Sequence, residues 1–148
     1  MNTGIRTGRT LKIAAFLVLV VVAAGLFWYF RLDRRERSVA KVPDISPADF
    51  EKIINQGKPG ILEFYTTSCP YCRLMVPVLE QLQADYGDRI FVVTMNAERY
   101  PSEAAKYEVP GVPALIFFDA QGKVADSVVG YHDYDAMVGV LKQLKFIN

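Results

Sequence analysis

The chain has 148 residues, 51% of them hydrophobic, and a formal net charge of +1, so we expect one globular domain with short appendages. Residues 1–43 hold eight Lys or Arg against two acids, or 8 − 2 = +6, whereas residues 44–148 hold nine against fourteen, or 9 − 14 = −5. The mildly acidic larger part argues against nucleic acid as a partner.

The first strongly patterned stretch is residues 13–30, which contains no charged residue and ends in the aromatic cluster WYF. At about 1.5 Å per helical residue this run is long enough to cross a bilayer core, and the aromatic residues resemble an interfacial belt. A cleaved signal peptide is the alternative, although its apolar region is usually shorter and followed by a small-residue site. We expect a tail over residues 1–10, a transmembrane anchor over 11–30 and a charged linker over 31–43.

The rest of the chain, residues 44–148, alternates between helical and strand patterns. Ser46, Pro47 and Asp49 form a helix-start signature, and the nearly continuous apolar runs are typical of strands covered on both faces. The predicted strands are 60–66, 89–96, 114–118 and 124–129, and the helices begin near 47, 70, 101 and 133. In the second helix the predicted apolar stripe is Leu74, Met75, Val78, Leu79 and Leu82. We expect an α/β fold with a mixed central sheet flanked by helices.

The two cysteines of the chain, Cys69 and Cys72, lie at a strand-to-helix junction. A C-x-x-C motif in this setting indicates a redox-active pair. A thiolate at a helix N-terminus faces unpaired N–H groups and the positive end of the helix dipole, which lowers its pKa. A zinc site would need two more ligands, which only His132 and carboxylates could supply. A structural disulfide is disfavoured because so short a loop constrains little chain entropy. We therefore predict a redox disulfide, with no metal and no other cofactor.

Residues 44–148 resemble the thioredoxin superfamily in several features beyond the cysteine pair. These are Glu63 in the buried strand, Pro77 in the following helix, the segment KYEVPGVPAL at residues 106–115, and Gly122 and Gly130. The resemblance implies a thioredoxin-like fold and thiol–disulfide oxidoreductase activity. With the N-terminal segment included, the chain is similar to membrane-tethered, periplasmic thioredoxin-like proteins of bacteria.

The resemblance also implies roles for five residues. Cys69 corresponds to the exposed nucleophile and Cys72 to the buried resolving thiol. Pro113 corresponds to a cis-proline that presents the backbone of Val112 to an extended substrate segment; an ordinary loop proline is the alternative. Glu63 corresponds to a buried acid beneath the disulfide, where a raised pKa suits proton exchange with Cys72 through water. A solvent-facing position is the alternative for Glu63.

Some positions depart from the thioredoxin pattern. Ser68 replaces the tryptophan usual before the first cysteine, and Thr94 stands near where thioredoxins carry a lysine beside the buried acid. The dipeptide Pro70-Tyr71 is typical of glutaredoxins, and we expect both residues to border the substrate site, with packing equally open for Tyr71. The glutathione-binding segment of glutaredoxins is absent after the cis-proline, so glutathione is disfavoured as the dedicated substrate. His132 is expected in the turn before the last helix.

The flanking charges leave the orientation in the membrane open. Three basic residues precede the apolar run and five follow it, which by the positive-inside rule slightly favours a cytoplasmic domain. A short basic N-terminal tail commonly stays inside, however, and a dithiol domain has a task in an oxidising compartment. We expect a single span in the inner membrane, with the domain facing the periplasm or the outside.

Together these features predict a membrane-anchored enzyme that reduces or exchanges disulfides in exported proteins. A transmembrane reductant carrier would reset the pair, and cytochrome c maturation is one pathway it would suit. Two alternatives stay open: a disulfide-donating oxidase that uses the same residues, and a tethered peptide-binding or chaperone module whose cysteines do not turn over.

Overall fold

The structure, a computed structural model, describes residues 16–28 and 41–148. The chain divides into two compact units, Met1–Ser38 and Val39–Asn148. Within the first unit, residues 16–28 form a helix with exposed apolar side chains. No helix within these described ranges is both long and apolar enough to cross a membrane. The tail over 1–10, the anchor residues 11–15, 29 and 30, and the linker residues 31–40 lie outside the described residues.

The second unit contains four helices and four strands, in the predicted order. In chain order they are α1 (Pro47–Ile54), β1 (Gly60–Tyr65), α2 (Pro70–Tyr86), β2 (Phe91–Asn96), α3 (Pro101–Lys106), β3 (Ala114–Phe118), β4 (Val124–Val129) and α4 (Tyr134–Gln143). The predicted start of α1 is confirmed, because the Ser46 side chain accepts a hydrogen bond from the Asp49 N–H at 3.2 Å. Helix α2 continues through Pro77. Gly122 has the positive φ, +75°, expected in the β3–β4 turn.

The four strands form one mixed sheet in the order β2-β1-β3-β4. Strands β1 and β2 are parallel, and α2 provides the crossover connection that parallel strands need; the β1–β3 and β3–β4 pairs are antiparallel. Residues 41–45, which we call the edge segment, run along the outer side of β2. There the Ile45 N–H donates to Thr94 O and the Thr94 N–H donates to Pro43 O, both at 2.9 Å.

Helices cover both faces of the sheet, as predicted. On one face, α2 and α4 bury a cluster that includes Ile61, Leu79 and Met137, against which Val42 of the edge segment also packs. On the other face a separate cluster surrounds Phe50 of α1. Because successive strand residues point to opposite faces, the odd-numbered residues of β1, including Glu63, face α2.

One predicted core position is wrong. Leu74 is 54% exposed, whereas Met75, Val78, Leu79 and Leu82 are buried. Leu74 lies on the flank of this apolar stripe, one turn after the exposed Tyr71, and hydrophobic periodicity does not separate the flank of a stripe from its centre.

Candidate active site

The cysteine pair lies at the N-terminus of α2. Cys69 is the N-cap residue, and its Sγ accepts a hydrogen bond from the Cys72 N–H at 3.0 Å. The helix starts at Pro70, which has no N–H to leave unpaired at that position. Cys69 and Cys72 are joined as a disulfide. The predicted setting, a cysteine sulfur at the N-terminus of a helix, is therefore confirmed.

The two cysteine residues differ less in exposure than the resemblance implied. Cys69 is 8% exposed and Cys72 is 4% exposed, so the expectation of an exposed Cys69 needs correction. The Val112 carbonyl oxygen lies 3.7 Å from Cys69 Sγ and contributes to its burial. Pro70 and Tyr71, by contrast, are exposed beside the disulfide, with Tyr71 60% exposed.

The loop before β3 forms the opposite side of the site. The Val112–Pro113 peptide bond is cis, as the resemblance implied. The alternative, an ordinary loop proline, is wrong. The Gly130 N–H donates to the Pro113 carbonyl at 2.8 Å, which ties the loop to the end of β4. The Val112 backbone is thereby held beside Cys69.

Glu63 lies on β1 beneath the disulfide and is 2% exposed, so the solvent-facing alternative is wrong. Its neighbours in the sheet register are Thr94 and Leu115, neither of which carries a charge. Its Oε1 is buried without a hydrogen-bond partner. Burial away from water disfavours the charged form and raises the pKa of Glu63 to about 8.

A cavity of about 280 Å³ is shared by Glu63 and Cys72. Its lining includes Glu63 and Cys72 together with Lys41, Val42, Tyr65, Thr66, Thr67, Arg73, Val76, Leu79, Glu80 and Thr94. The cavity is large enough for several water molecules and is partly polar, so water can bridge Glu63 to Cys72. A carboxyl with a pKa near neutrality beside a thiol is suited to proton transfer.

A second set of polar contacts holds the loop that precedes Cys69. The Glu98 carboxylate accepts hydrogen bonds from the Thr67 hydroxyl at 3.1 Å and the Thr67 N–H at 3.4 Å. Asn96 Oδ1 in turn accepts from the N–H groups of Glu98 and Arg99 at 2.8 and 2.9 Å. Sequence reasoning missed Asn96 and Glu98, although a polar residue at the carboxyl end of a parallel strand is a recognisable signal.

His132 lies in the turn between β4 and α4, as expected. Its Nδ1 is 3.1 Å from the Gly130 carbonyl oxygen, and its backbone N–H donates to Met75 Sδ at 3.4 Å. These contacts indicate that His132 packs against α2 and the end of β4. Glu63 and Cys72, unlike His132, line the cavity together.

The chain is similar to known thioredoxins. The thioredoxin family model matches residues 41–143, and the thioredoxin of Staphylococcus aureus is 36% identical over 104 residues, 70% of this chain and 95% of that protein. Among solved structures, chloroplastic thioredoxin z matches with a TM-score of 0.65 and 22% identity, over 72% of this chain and 96% of that one. A mutant thioredoxin from Halobacterium salinarum matches with a TM-score of 0.63 and 23% identity, over 70% and 88%. The chain belongs to the thioredoxin family of thiol–disulfide oxidoreductases.

Proposed function

We propose that this protein is a membrane-anchored enzyme that reduces or exchanges disulfides in exported proteins, with Cys69 as nucleophile and Cys72 as resolving thiol. One observation carries the assignment of roles. Cys69 Sγ is the sulfur that accepts the Cys72 N–H at the N-terminus of α2 and lies beside the Val112 carbonyl. A hydrogen bond to the charged form and the helix dipole both favour a Cys69 thiolate.

In the first step the reduced enzyme attacks a substrate disulfide. The Cys69 thiolate forms a bond to one substrate sulfur, and the other substrate sulfur leaves as a thiolate. The product is a mixed disulfide between Cys69 and the substrate. At this stage one substrate sulfur is bonded to Cys69, and Cys72 still holds its proton.

In the second step Cys72 releases the substrate. Its thiol loses a proton to the Glu63 carboxylate through water in the shared cavity, and the resulting thiolate attacks Cys69 Sγ. The bond between Cys69 and the substrate breaks, and the second substrate sulfur leaves as a thiolate. Two electrons have then passed to the substrate, and the enzyme holds the Cys69–Cys72 disulfide.

Substrate binding is assigned to the backbone beside the cysteine pair. Val112, before Pro113, is held by the Gly130–Pro113 hydrogen bond and can pair with an extended substrate segment through main-chain groups. This mode recognises backbone more than sequence, which suits a set of different client proteins. The exposed Pro70 and Tyr71 offer an apolar surface next to the same segment.

The cellular setting is part of the proposal and rests on the N-terminal sequence. The uncharged run at residues 13–30 with basic flanks supports a single-span anchor over 11–30 in the inner membrane. With the domain facing the periplasm or the outside, a transmembrane carrier of reductant would restore the dithiol. Cytochrome c maturation is a pathway in which such a reductase would serve.

Insulin reduction by dithiothreitol tests the enzymatic proposal. We expect the full-length protein to accelerate insulin precipitation, and Cys69→Ser to abolish the acceleration. In cells, Cys72→Ser should accumulate mixed disulfides with clients, because the resolving step is lost. The Cys69→Ser/Cys72→Ser double variant is the matched control and should accumulate none. Equal inactivity of the wild type and Cys69→Ser would contradict the proposal and favour a binding module.

A further inference from the structure

The loop at residues 66–68 connects β1 to Cys69, and a carboxylate from another part of the chain holds it. The Glu98 carboxylate accepts hydrogen bonds from the Thr67 hydroxyl at 3.1 Å and from the Thr67 N–H at 3.4 Å. Glu98 follows β2, and it lies 31 positions further along the chain than Thr67. Because one of the two donors is a backbone N–H, this contact holds the main chain of the loop as well as a side chain.

The backbone that carries Glu98 is itself anchored to the ends of two strands. Asn96 is 6% exposed, and its Oδ1 accepts the N–H groups of Glu98 and Arg99 at 2.8 and 2.9 Å. The Ala97 N–H donates to the Tyr65 carbonyl at 2.8 Å, which joins this turn to the end of β1. The Glu98 carboxylate therefore ties the loop before Cys69 to the central sheet.

The same loop sets the position of Cys69. The Cys69 N–H donates to the Thr66 carbonyl at 3.3 Å, and Cys69 Sγ accepts the Cys72 N–H at 3.0 Å. A displacement of Thr67 would move the neighbouring Thr66 carbonyl, and with it Cys69, relative to the first turn of α2. The hydrogen bond to the Cys69 sulfur depends on this alignment, because hydrogen bonds weaken steeply as their geometry departs from linear.

We propose that Glu98 is a positioning residue for the first step, which by holding Thr67 keeps Cys69 Sγ aligned with the N–H that stabilises the thiolate. This inference rests on the proposed role of Cys69 as nucleophile. Glu98 acts through geometry rather than charge, because a negative charge near Cys69 would by itself disfavour the thiolate. Removing the hydrogen-bond acceptor should therefore hinder the ionisation of Cys69, and removing the charge alone should not.

The expected effect is a change in reactivity with little change in stability. Glu98 is exposed, so its substitution should affect the stability of the fold only slightly. Complete loss of a hydrogen bond to a thiolate would raise the midpoint of ionisation by about one to two pH units, and misalignment should raise it by about half a unit. At pH values below the midpoint, half a unit reduces the thiolate fraction about threefold.

Alkylation of the reduced, full-length protein by iodoacetamide across a pH series measures this midpoint, and peptide mass mapping identifies the cysteine that reacts. Glu98→Ala removes the acceptor, Thr67→Val removes one of the two donors and keeps the charge, and the amide oxygen of Glu98→Gln can still accept. Glu51→Ala is the control, because Glu51 is an exposed acid of α1 that pairs with Lys106. Its loss changes the net charge by the same amount as Glu98→Ala.

We expect the midpoint to rise by about half a unit in Glu98→Ala and by less in Thr67→Val. It should not rise in Glu98→Gln or in the control Glu51→Ala. Equal midpoints in the wild type, Glu98→Ala and Thr67→Val would overturn the proposal, as would a rise in Glu98→Gln equal to that in Glu98→Ala.

Urea unfolding of the same reduced variants separates positioning from a general loss of structure. A rise in the ionisation midpoint that occurs only together with a large fall in the urea midpoint would also overturn the proposal. If Glu98→Ala does not fold, the comparison of Thr67→Val with Glu98→Gln still decides. Alkylation of Cys72 in place of Cys69 in the wild type would instead contradict the proposed function, so the two proposals fail by different results.

Discussion

The burial of Glu63 predicts that the stability of this protein depends on pH in an unusual direction. Its pKa is about 8 in the folded protein, against 4.5 for the unperturbed group. Between these values the folded state holds a proton that the unfolded state has lost. The free energy of unfolding therefore falls as pH rises from about 4.5 to about 8, and this contribution is fully present only below the lower value.

The magnitude follows from the size of the pKa difference. The two values differ by roughly 3.5 units, and each unit corresponds to about 1.4 kcal/mol. Their product sets an upper bound of about 5 kcal/mol on the stability lost across the window. This is a large fraction of the total stability of a domain of this size. Glu63→Gln removes the titration while keeping the shape of the side chain.

Urea unfolding of the oxidised, full-length chain from about pH 5 to about pH 9 tests this linkage. Near-UV circular dichroism would follow the tyrosines of the domain, because the only tryptophan, Trp28, lies in the N-terminal helical segment. The stability of Glu63→Gln relative to the wild type should increase by several kcal/mol across this range. Glu80→Gln, which removes a partly exposed carboxylate from the same cavity wall, is the control and should follow the wild type. Parallel curves for the wild type and Glu63→Gln would refute the reasoning.

Two further predictions concern the scaffold. Phe50 is fully buried, with its ring centroid 5.1 Å from that of Phe118 and 6.1 Å from that of Phe91, so Phe50→Ala should lower the free energy of unfolding by about 3–5 kcal/mol in urea denaturation; an effect below about 1 kcal/mol would contradict this packing. The Asp133 carboxylate caps α4 by accepting the Ala136 N–H at 2.9 Å. Asp133→Ala should therefore cost about 1 kcal/mol, while Asp133→Asn, which can still accept that bond, should cost less in the same assay.

Much of the fold could be predicted from the sequence because local signals and burial pattern agree. The Ser46 cap, the proline starts of α1 and α2, and the apolar strands each favour the element that forms. Strand ends were less accurate: β2 begins at Phe91 rather than Arg89. Leu74 was misplaced because the pattern of its own helix cannot show how far the sheet covers that helix.

The sequence predicts those site residues that a local motif or pattern identifies. It does not predict the residues that reach the site only through tertiary contacts. The spacing of Cys69 and Cys72 and the position of Glu63 within an apolar run were visible in the sequence. The contact of Glu98 with Thr67 joins residues 31 positions apart, and Lys41 reaches the cavity through strand pairing. No periodicity or motif in the sequence predicts either contact, because both depend on which strands pair and in which register.

The edge segment is the start of the domain, and it contributes to the candidate active site. By composition, Lys41, Val42 and Pro43 belong to a charged linker, yet they supply a cavity wall, a core contact and a hydrogen-bond acceptor for β2. A protease that cut after Pro43 would leave both cysteines and the buried acid in place. It would nevertheless remove Lys41 and Val42 from the lining of the cavity that Glu63 and Cys72 share. The boundary for trimming this enzyme without altering its chemistry therefore lies upstream of Lys41.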